Sequence, residues 1–185
     1  MTTEFGVSRG KVFPAAKASS LLNPLRRLVQ PASRIAGRLG VSPNSRVLEV
    51  GCGPGYFTPA LIEAVPSGHV VMFDLQAEML AMAAARVGAT ATALQGDATK
   101  LPLRSQSFDA VVVVLMLGEV PDRNGCLSEI RRVLRPGGIV LLAESRRDGD
   151  FIRFDDLRTL VAGHGFEFVD RRGPGWEYTA RFRAL

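Results

Sequence analysis

Three glycines spaced two apart, Gly51, Gly53 and Gly55, follow directly on the apolar run Val47-Leu48-Glu49-Val50, and a helical pattern begins near Tyr56. Glycine lets a backbone turn sharply and lie close against a ligand, because no Cβ stands in the way. A strand, a glycine turn and a helix N-terminus in that order form a nucleotide-like site at the carboxyl end of a parallel strand. Asp74 lies nineteen residues beyond Gly55, at the end of the next apolar run. A carboxylate there can accept from two ribose hydroxyls at once. Leu75 beside it offers an apolar face to a base.

The spacing excludes two common phosphate sites. A dinucleotide fingerprint, G-x-G-x-x-G, would put its third glycine at 56, where this chain has tyrosine. A P-loop needs Lys-Ser or Lys-Thr after the last glycine, and neither follows. The two cysteines, Cys52 and Cys126, lack any C-x-x-C or Cys/His spacing, so no metal site is expected from them.

The elements that must position these groups alternate in type. Strands are expected at Arg46–Val50, His69–Asp74, Thr90–Gln95, Ala110–Leu117 and Ile139–Glu144. Helices are expected at about 56–65, Ala77–Val87, Asn124–Leu134 and Phe154–His164. The uninterrupted apolar run at Ala110–Leu117 is the signature of a parallel strand covered on both faces. Phe166–Arg171 and Glu177–Phe182 flank only a short Gly173-Pro174-Gly175 connection, too short for a crossover, and must pair as an antiparallel hairpin. Before the first strand, Leu21, Leu22, Leu25, Leu28, Val29, Ile35 and Leu39 recur at helical spacing. Pro24 and Pro31 cut that stretch into two or three short helices.

With Glu49-Val50-Gly51-Cys52-Gly53-Pro54-Gly55, the chain resembles the class I S-adenosylmethionine-dependent methyltransferases, whose first motif reads E/D-x-G-x-G-x-G. Ser107-Phe108-Asp109-Ala110-Val111 and Arg132-Val133-Leu134-Arg135-Pro136-Gly137-Gly138 match further motifs of that family. The resemblance implies an α/β, Rossmann-like fold with a seven-stranded, mostly parallel sheet in the order 3-2-1-4-5-7-6 and a C-terminal antiparallel hairpin. It implies S-adenosyl-L-methionine as cofactor and no metal. The cofactor residues it implies are Glu49, Gly51, Cys52, Gly53, Gly55, Asp74, Leu75, Gly96, Asp97, Ala98 and Leu115. In that family an Asp at the place of Asp97 accepts from the adenine amine, and the next backbone N–H reaches a ring nitrogen. The domain reading is a basic helical arm or lid over residues 1–40 and a cofactor domain over 41–185.

Methyl transfer from a sulfonium is an in-line displacement, and a weakly acidic acceptor also needs a general base within hydrogen-bond reach. Glu119 and Glu144, at the carboxyl ends of strands four and five, are the candidates; Asp122 and Ser145 lie nearby. Small methyltransferases that the chain resembles often carry His-Glu immediately after strand four. Here Gly118-Glu119 stands instead, so the imidazole is missing.

Charge is uneven along the chain. Residues 1–46 hold eight Lys and Arg against one Glu, a balance of +7, while the rest sums to −2. Such an arm suits an anionic partner, but no aromatics interleave with its charges as a nucleic-acid stacking platform requires. A small-molecule acceptor is the favoured reading. An RNA or protein methyltransferase and a non-catalytic or repurposed S-adenosylmethionine-binding domain are the alternatives. The sequence also reads as cytoplasmic, with no membrane-spanning run, and as able to pair into a homodimer that could cover the site.

Overall fold

The computed structural model describes residues 13–23 and 30–185. Its centre is a seven-stranded sheet in the order β3-β2-β1-β4-β5-β7-β6. The strands are β1 (Arg46–Val50), β2 (His69–Asp74), β3 (Ala91–Gln95), β4 (Phe108–Val114), β5 (Leu134–Ser145), β6 (Phe166–Arg172) and β7 (Glu177–Ala184). β1 pairs in parallel with β2 and β4, β2 with β3, and β4 with β5; β7 runs antiparallel to both β5 and β6. The order expected from the resemblance is the order observed.

Six α-helices occur among the described residues: α1 (Ala18–Leu21), α2 (Ala32–Ala36), α3 (Thr58–Ala64), α4 (Ala77–Val87), α5 (Arg123–Val133) and α6 (Phe154–Ala162). Alternation along the strands decides which face each helix covers. Val47, Val70, Ala110, Val112 and Leu141 point toward α2 and α3, packing with Ile35, Leu39, Phe57 and Leu61. Leu48, Val71, Phe73, Val111, Val113 and Leu142 point the other way, onto Leu127, Ile130, Val133, Leu157 and Val161 of α5 and α6. Met72 packs with Leu80 and Ala83 of α4. Both faces of the central strands are therefore dry, and β1 and β4 read as continuous apolar runs for that reason.

Several boundaries differ from the sequence expectation. β4 stops at Val114 because Leu115 takes φ +53°, a left-handed backbone that no strand continues. β5 starts at Leu134 rather than Ile139. Pro136-Gly137-Gly138 therefore does not separate helix from strand; it forms a bulge, with pairing that jumps from Phe108↔Leu134 to Ala110↔Ile139. The first core helix begins at Thr58, after the glycine turn has been completed by Tyr56 and Phe57. Of the short helices expected over 19–39, α1 and α2 are seen, and residues 24–29 between them lie outside the described residues.

The segment after α2 is tied to the far end of the sheet. Arg38, almost fully buried, donates to Asp170 at 2.5 Å and to the Thr179 carbonyl at 2.8 Å. Arg181 donates to both oxygens of Asp170 and to the Arg38 carbonyl. A buried arginine shared between one carboxylate and backbone carbonyls holds its place by satisfied geometry, not by charge alone. No helix among the described residues is long and apolar enough to cross a membrane.

Candidate functional site

One cavity of about 780 Å³ opens at the carboxyl ends of the parallel strands. That volume lies within the usual range of small-molecule sites, roughly 300–1,000 Å³.

Its floor is the glycine turn after β1. Gly51 and Cys52 both donate their N–H to the Phe73 carbonyl, at 2.8 and 3.1 Å, which folds the turn back onto β2. Gly51 has φ +72°, and a Cβ there would stand 2.4 Å from Met116 Cγ. Position 51 thus excludes a side chain twice over, by conformation and by the approach of β4's end. Gly55 has φ +77° and faces α4, where a Cβ would meet Ala83 at 2.9 Å. It serves helix packing and does not line the cavity.

Asp74 ends β2 almost fully buried. Its Oδ2 accepts the Gly53 N–H at 2.8 Å and its Oδ1 accepts the Gln76 N–H at 2.9 Å. Each carboxylate oxygen keeps a further lone pair, so the group can still accept two hydroxyls. Leu75 beside it is 50% exposed at the cavity wall. After β3, Gly96 leaves room for the Phe73 ring, 2.8 Å from where a Cβ would be. Asp97 Oδ1 accepts both the N–H and the hydroxyl of Thr99 at 2.8 Å, which holds its carboxyl below the usual range. No described residue bonds Asp97 Oδ2.

The structure brings Gly51, Cys52, Gly53, Asp74, Leu75, Gly96, Asp97, Ala98 and Leu115 together on this wall. Glu49 is not among them. Its carboxyl is buried beneath the turn, accepts the Thr58 hydroxyl at 2.7 Å, and is pushed up to about 8, chiefly by burial. Glu49 therefore supports the glycine turn from below. Cys52 is on the wall, but burial and the Glu49 and Asp74 carboxylates push its thiol well up, which rules against a nucleophile.

After β4, Leu115, Met116, Glu119 and Val120 also line the cavity. Leu115 keeps its N–H on the Ala143 carbonyl at 2.9 Å while its own backbone is left-handed. For a leucine that costs about 1–2 kcal/mol. The strain lies where it turns Met116 over Gly51. Glu119 sits in the three-ten turn Leu117–Glu119. Burial raises its carboxyl to about 7; the Phe13 N–H, donating at 3.0 Å, opposes this, while Asp148, Asp150 and Asp74 add to it. A carboxyl poised near neutrality in a cavity is suited to proton transfer. Glu144, the other acid–base candidate, stands away from the cavity wall. It is buried, accepts the Ile152 N–H at 3.2 Å, and is raised to about 8 mainly by burial.

Phe13, Leu21, Tyr56, Phe57, Arg147 and Asp148 also line the wall and were not foreseen from the sequence. Only the Tyr56-Phe57 pair carried a local signal, two bulky aromatics directly after the third glycine. The Phe13 carbonyl also accepts from Gln76 Nε2 at 2.8 Å, so its backbone bridges the ends of β2 and β4. Neither histidine joins the site: His69 bonds Thr92, and His164 bonds Ser128 and Asn124. Among the described residues, no cluster of His, Cys, Asp and Glu could hold a metal.

A family model described as a methyltransferase domain matches residues 47–138. A demethylmenaquinone methyltransferase of Staphylococcus aureus is 36% identical over 115 residues, covering 60% of this chain and 48% of that protein. The chain thus spans about half the length of the curated relatives it matches. The crystal structure of a SAM dependent methyltransferase from Aquifex aeolicus superposes with a TM-score of 0.86 at 19% identity, over 94% of this chain and 100% of that one. The [4+2]-cyclase SpnF superposes with a TM-score of 0.73 at 19% identity, over 83% of this chain and 79% of that one.

Proposed function

Because the chain belongs to the class I S-adenosylmethionine-dependent methyltransferase family, we propose that it transfers a methyl group to a small-molecule acceptor. The observation that carries this is one cavity whose wall holds a carboxylate suited to ribose hydroxyls, Asp74, a half-exposed Leu75 and the partly buried carboxyl of Glu119. The residues present fit the cofactor: a side-chain-free floor at Gly51 and Gly53, Asp74 for the ribose hydroxyls, Leu75 against the base and Asp97 Oδ2 for its amine. When bound, S-adenosyl-L-methionine supplies a methyl on a sulfonium, which is already electrophilic.

The chain's own residues then have three tasks. Gly51, Met116 and Leu115 fix the floor and the strand end that align the reacting groups, and alignment is the largest contribution, about 7–11 kcal/mol in favourable cases. Tyr56, Phe57, Val120 and Phe13 exclude water. Glu119 accepts the acceptor's proton as the new bond forms.

A small acceptor also suits the charge of the wall. Asp74, Asp97, Glu119, Asp122, Asp148 and Glu177 line it against one cation among the described residues, Arg147. That balance repels a phosphate backbone. The name of the Staphylococcus aureus relative points the same way, toward an apolar ring compound. The repurposed-domain alternative draws on the [4+2]-cyclase, whose name describes a different reaction on this fold.

The test is incubation with methyl-labelled cofactor and a panel of phenols, amines and 1,4-naphthohydroquinone, scored by S-adenosylhomocysteine release. Calorimetric binding of S-adenosylhomocysteine with no turnover on any acceptor class, RNA and protein included, would favour the non-catalytic reading. Absence of binding would end the proposal.

A further inference from the structure

Position 118 carries glycine where the resemblance leads one to expect an imidazole, and the structure gives a spatial reason. Gly118 is not among the residues with positive φ, so its backbone does not require glycine. Space does: a Cβ there would stand 2.0 Å from the Asp150 carbonyl oxygen and 2.8 Å from Asp150 C and Cβ. Asp150, within the segment 146–153, occupies the place that a side chain at 118 would take.

That segment is strapped down along its length. Arg146 donates its N–H to the Trp176 carbonyl at 2.8 Å, and Asp148 donates to the Ser145 carbonyl at 2.9 Å. At its far end the Ile152 N–H reaches Glu144 Oε2 at 3.2 Å, and the Tyr178 hydroxyl donates to the Ile152 carbonyl at 2.7 Å. The opposing turn is held too, since Arg123 donates to the Leu117 and Gly118 carbonyls at 3.2 and 2.8 Å. Between the straps, Arg147 and Asp148 reach the cavity wall beside Glu119. The buried Glu144, which lies off the cavity, thereby acquires a role as an anchor.

We infer that residues 146–153 form the wall that bounds the methyl acceptor, and that the absent side chain at 118 sets how close this wall stands and so how large an acceptor is admitted. The inference rests on the proposed cofactor site only for which end of the cavity receives the acceptor. Ordinary contact begins near 3.4 Å, so even an alanine displaces the Asp150 carbonyl by about 1.4 Å. Because backbone meets backbone here, no rotamer change relieves the clash. The wall moves outward, and the cofactor floor on β1 and β2 is untouched.

The whole 185-residue chain is compared with Gly118→Ala and with Tyr178→Phe, which removes one strap without touching the cavity. Backbone hydrogen exchange reads the wall, calorimetry with S-adenosylhomocysteine reads the cofactor end, and fluorescence titration with 2-naphthol on the S-adenosylhomocysteine complex reads the acceptor end. In Gly118→Ala the Asp148 and Ile152 amides exchange at least tenfold faster, the S-adenosylhomocysteine Kd stays within threefold, and 2-naphthol binding changes at least fivefold. Tyr178→Phe moves the same quantities in the same direction by less, and it carries the test if Gly118→Ala fails to fold. Unchanged exchange in the folded variants overturns the seating by residue 118. Faster exchange with unchanged 2-naphthol binding, or a tenfold loss of S-adenosylhomocysteine affinity, overturns the acceptor-wall assignment. A wild-type protein that binds no S-adenosylhomocysteine refutes the proposed function instead, and the exchange measurement still decides the seating.

Discussion

Replacing Asp74 by alanine tests the cofactor assignment at its strongest point. In the structure the carboxylate already accepts two backbone N–H groups, from Gly53 at 2.8 Å and Gln76 at 2.9 Å. On the proposed reading it also accepts two ribose hydroxyls. Hydrogen bonds to a charged group contribute about 1.5–3 kcal/mol each. Taking the lower figure for both ribose bonds gives a loss of about 3 kcal/mol, or roughly 100-fold in Kd. The two backbone bonds add a separate cost to folding, since Gly53 and Gln76 lose their acceptor. Asp74→Asn keeps one acceptor oxygen and should fall between wild type and alanine. Calorimetric titration with S-adenosylhomocysteine measures the affinity, and urea denaturation of the same samples measures the fold. A folded Asp74→Ala protein that binds within threefold of wild type would refute the reasoning, because the group would then serve only the turn.

Four other outcomes are expected. Methyl transfer should rise with pH and level off above about pH 7, where Glu119 becomes a carboxylate; Glu119→Gln should lose that limb of the rate profile. Glu49 binds its proton more tightly folded, at about 8, than the ordinary value of 4.5. Its contribution to stability is complete below about pH 4.5 and lost as pH rises through about 8, with a slope of at most about 1.4 kcal/mol per pH unit; Glu49→Gln should flatten the fall in urea midpoint between pH 5 and pH 9. Gly51→Ala should cost about 2–4 kcal/mol in chemical denaturation, from a left-handed alanine and a displaced Met116. Deleting residues 1–30 removes the Phe13 bridge between Gln76 and Glu119 and should weaken S-adenosylhomocysteine binding while leaving the sheet's circular dichroism intact.

The sheet was legible because its rules are local. Apolar runs, glycine turns and a connection too short for a helix gave the strands, their largely parallel character and the terminal hairpin from Arg46 to Phe182, while the strand order came from the resemblance. What could not be read was set by contacts between distant segments. Nothing about leucine favours a left-handed backbone, so the early end of β4 at Leu115 follows from packing of the strand end over Gly51. Glu49 looked like a ligand from its motif; its burial beside Thr58 depends on how α3 leaves the turn. Pro136-Gly137-Gly138 between an expected helix and an expected strand suits a break, whereas pairing with β4 on both sides makes it a bulge. The cavity residues Phe13 and Leu21 come from a segment that no periodicity ties to the site.

The division of the sheet has a practical corollary. Everything proposed to hold the nucleoside rides on β1, β2 and β3, while the groups facing the incoming compound hang from the ends of β4 and β5. Exchange of two short stretches, 117–122 and 146–153, offers a route to redirecting the chemistry toward a new recipient without rebuilding the donor half.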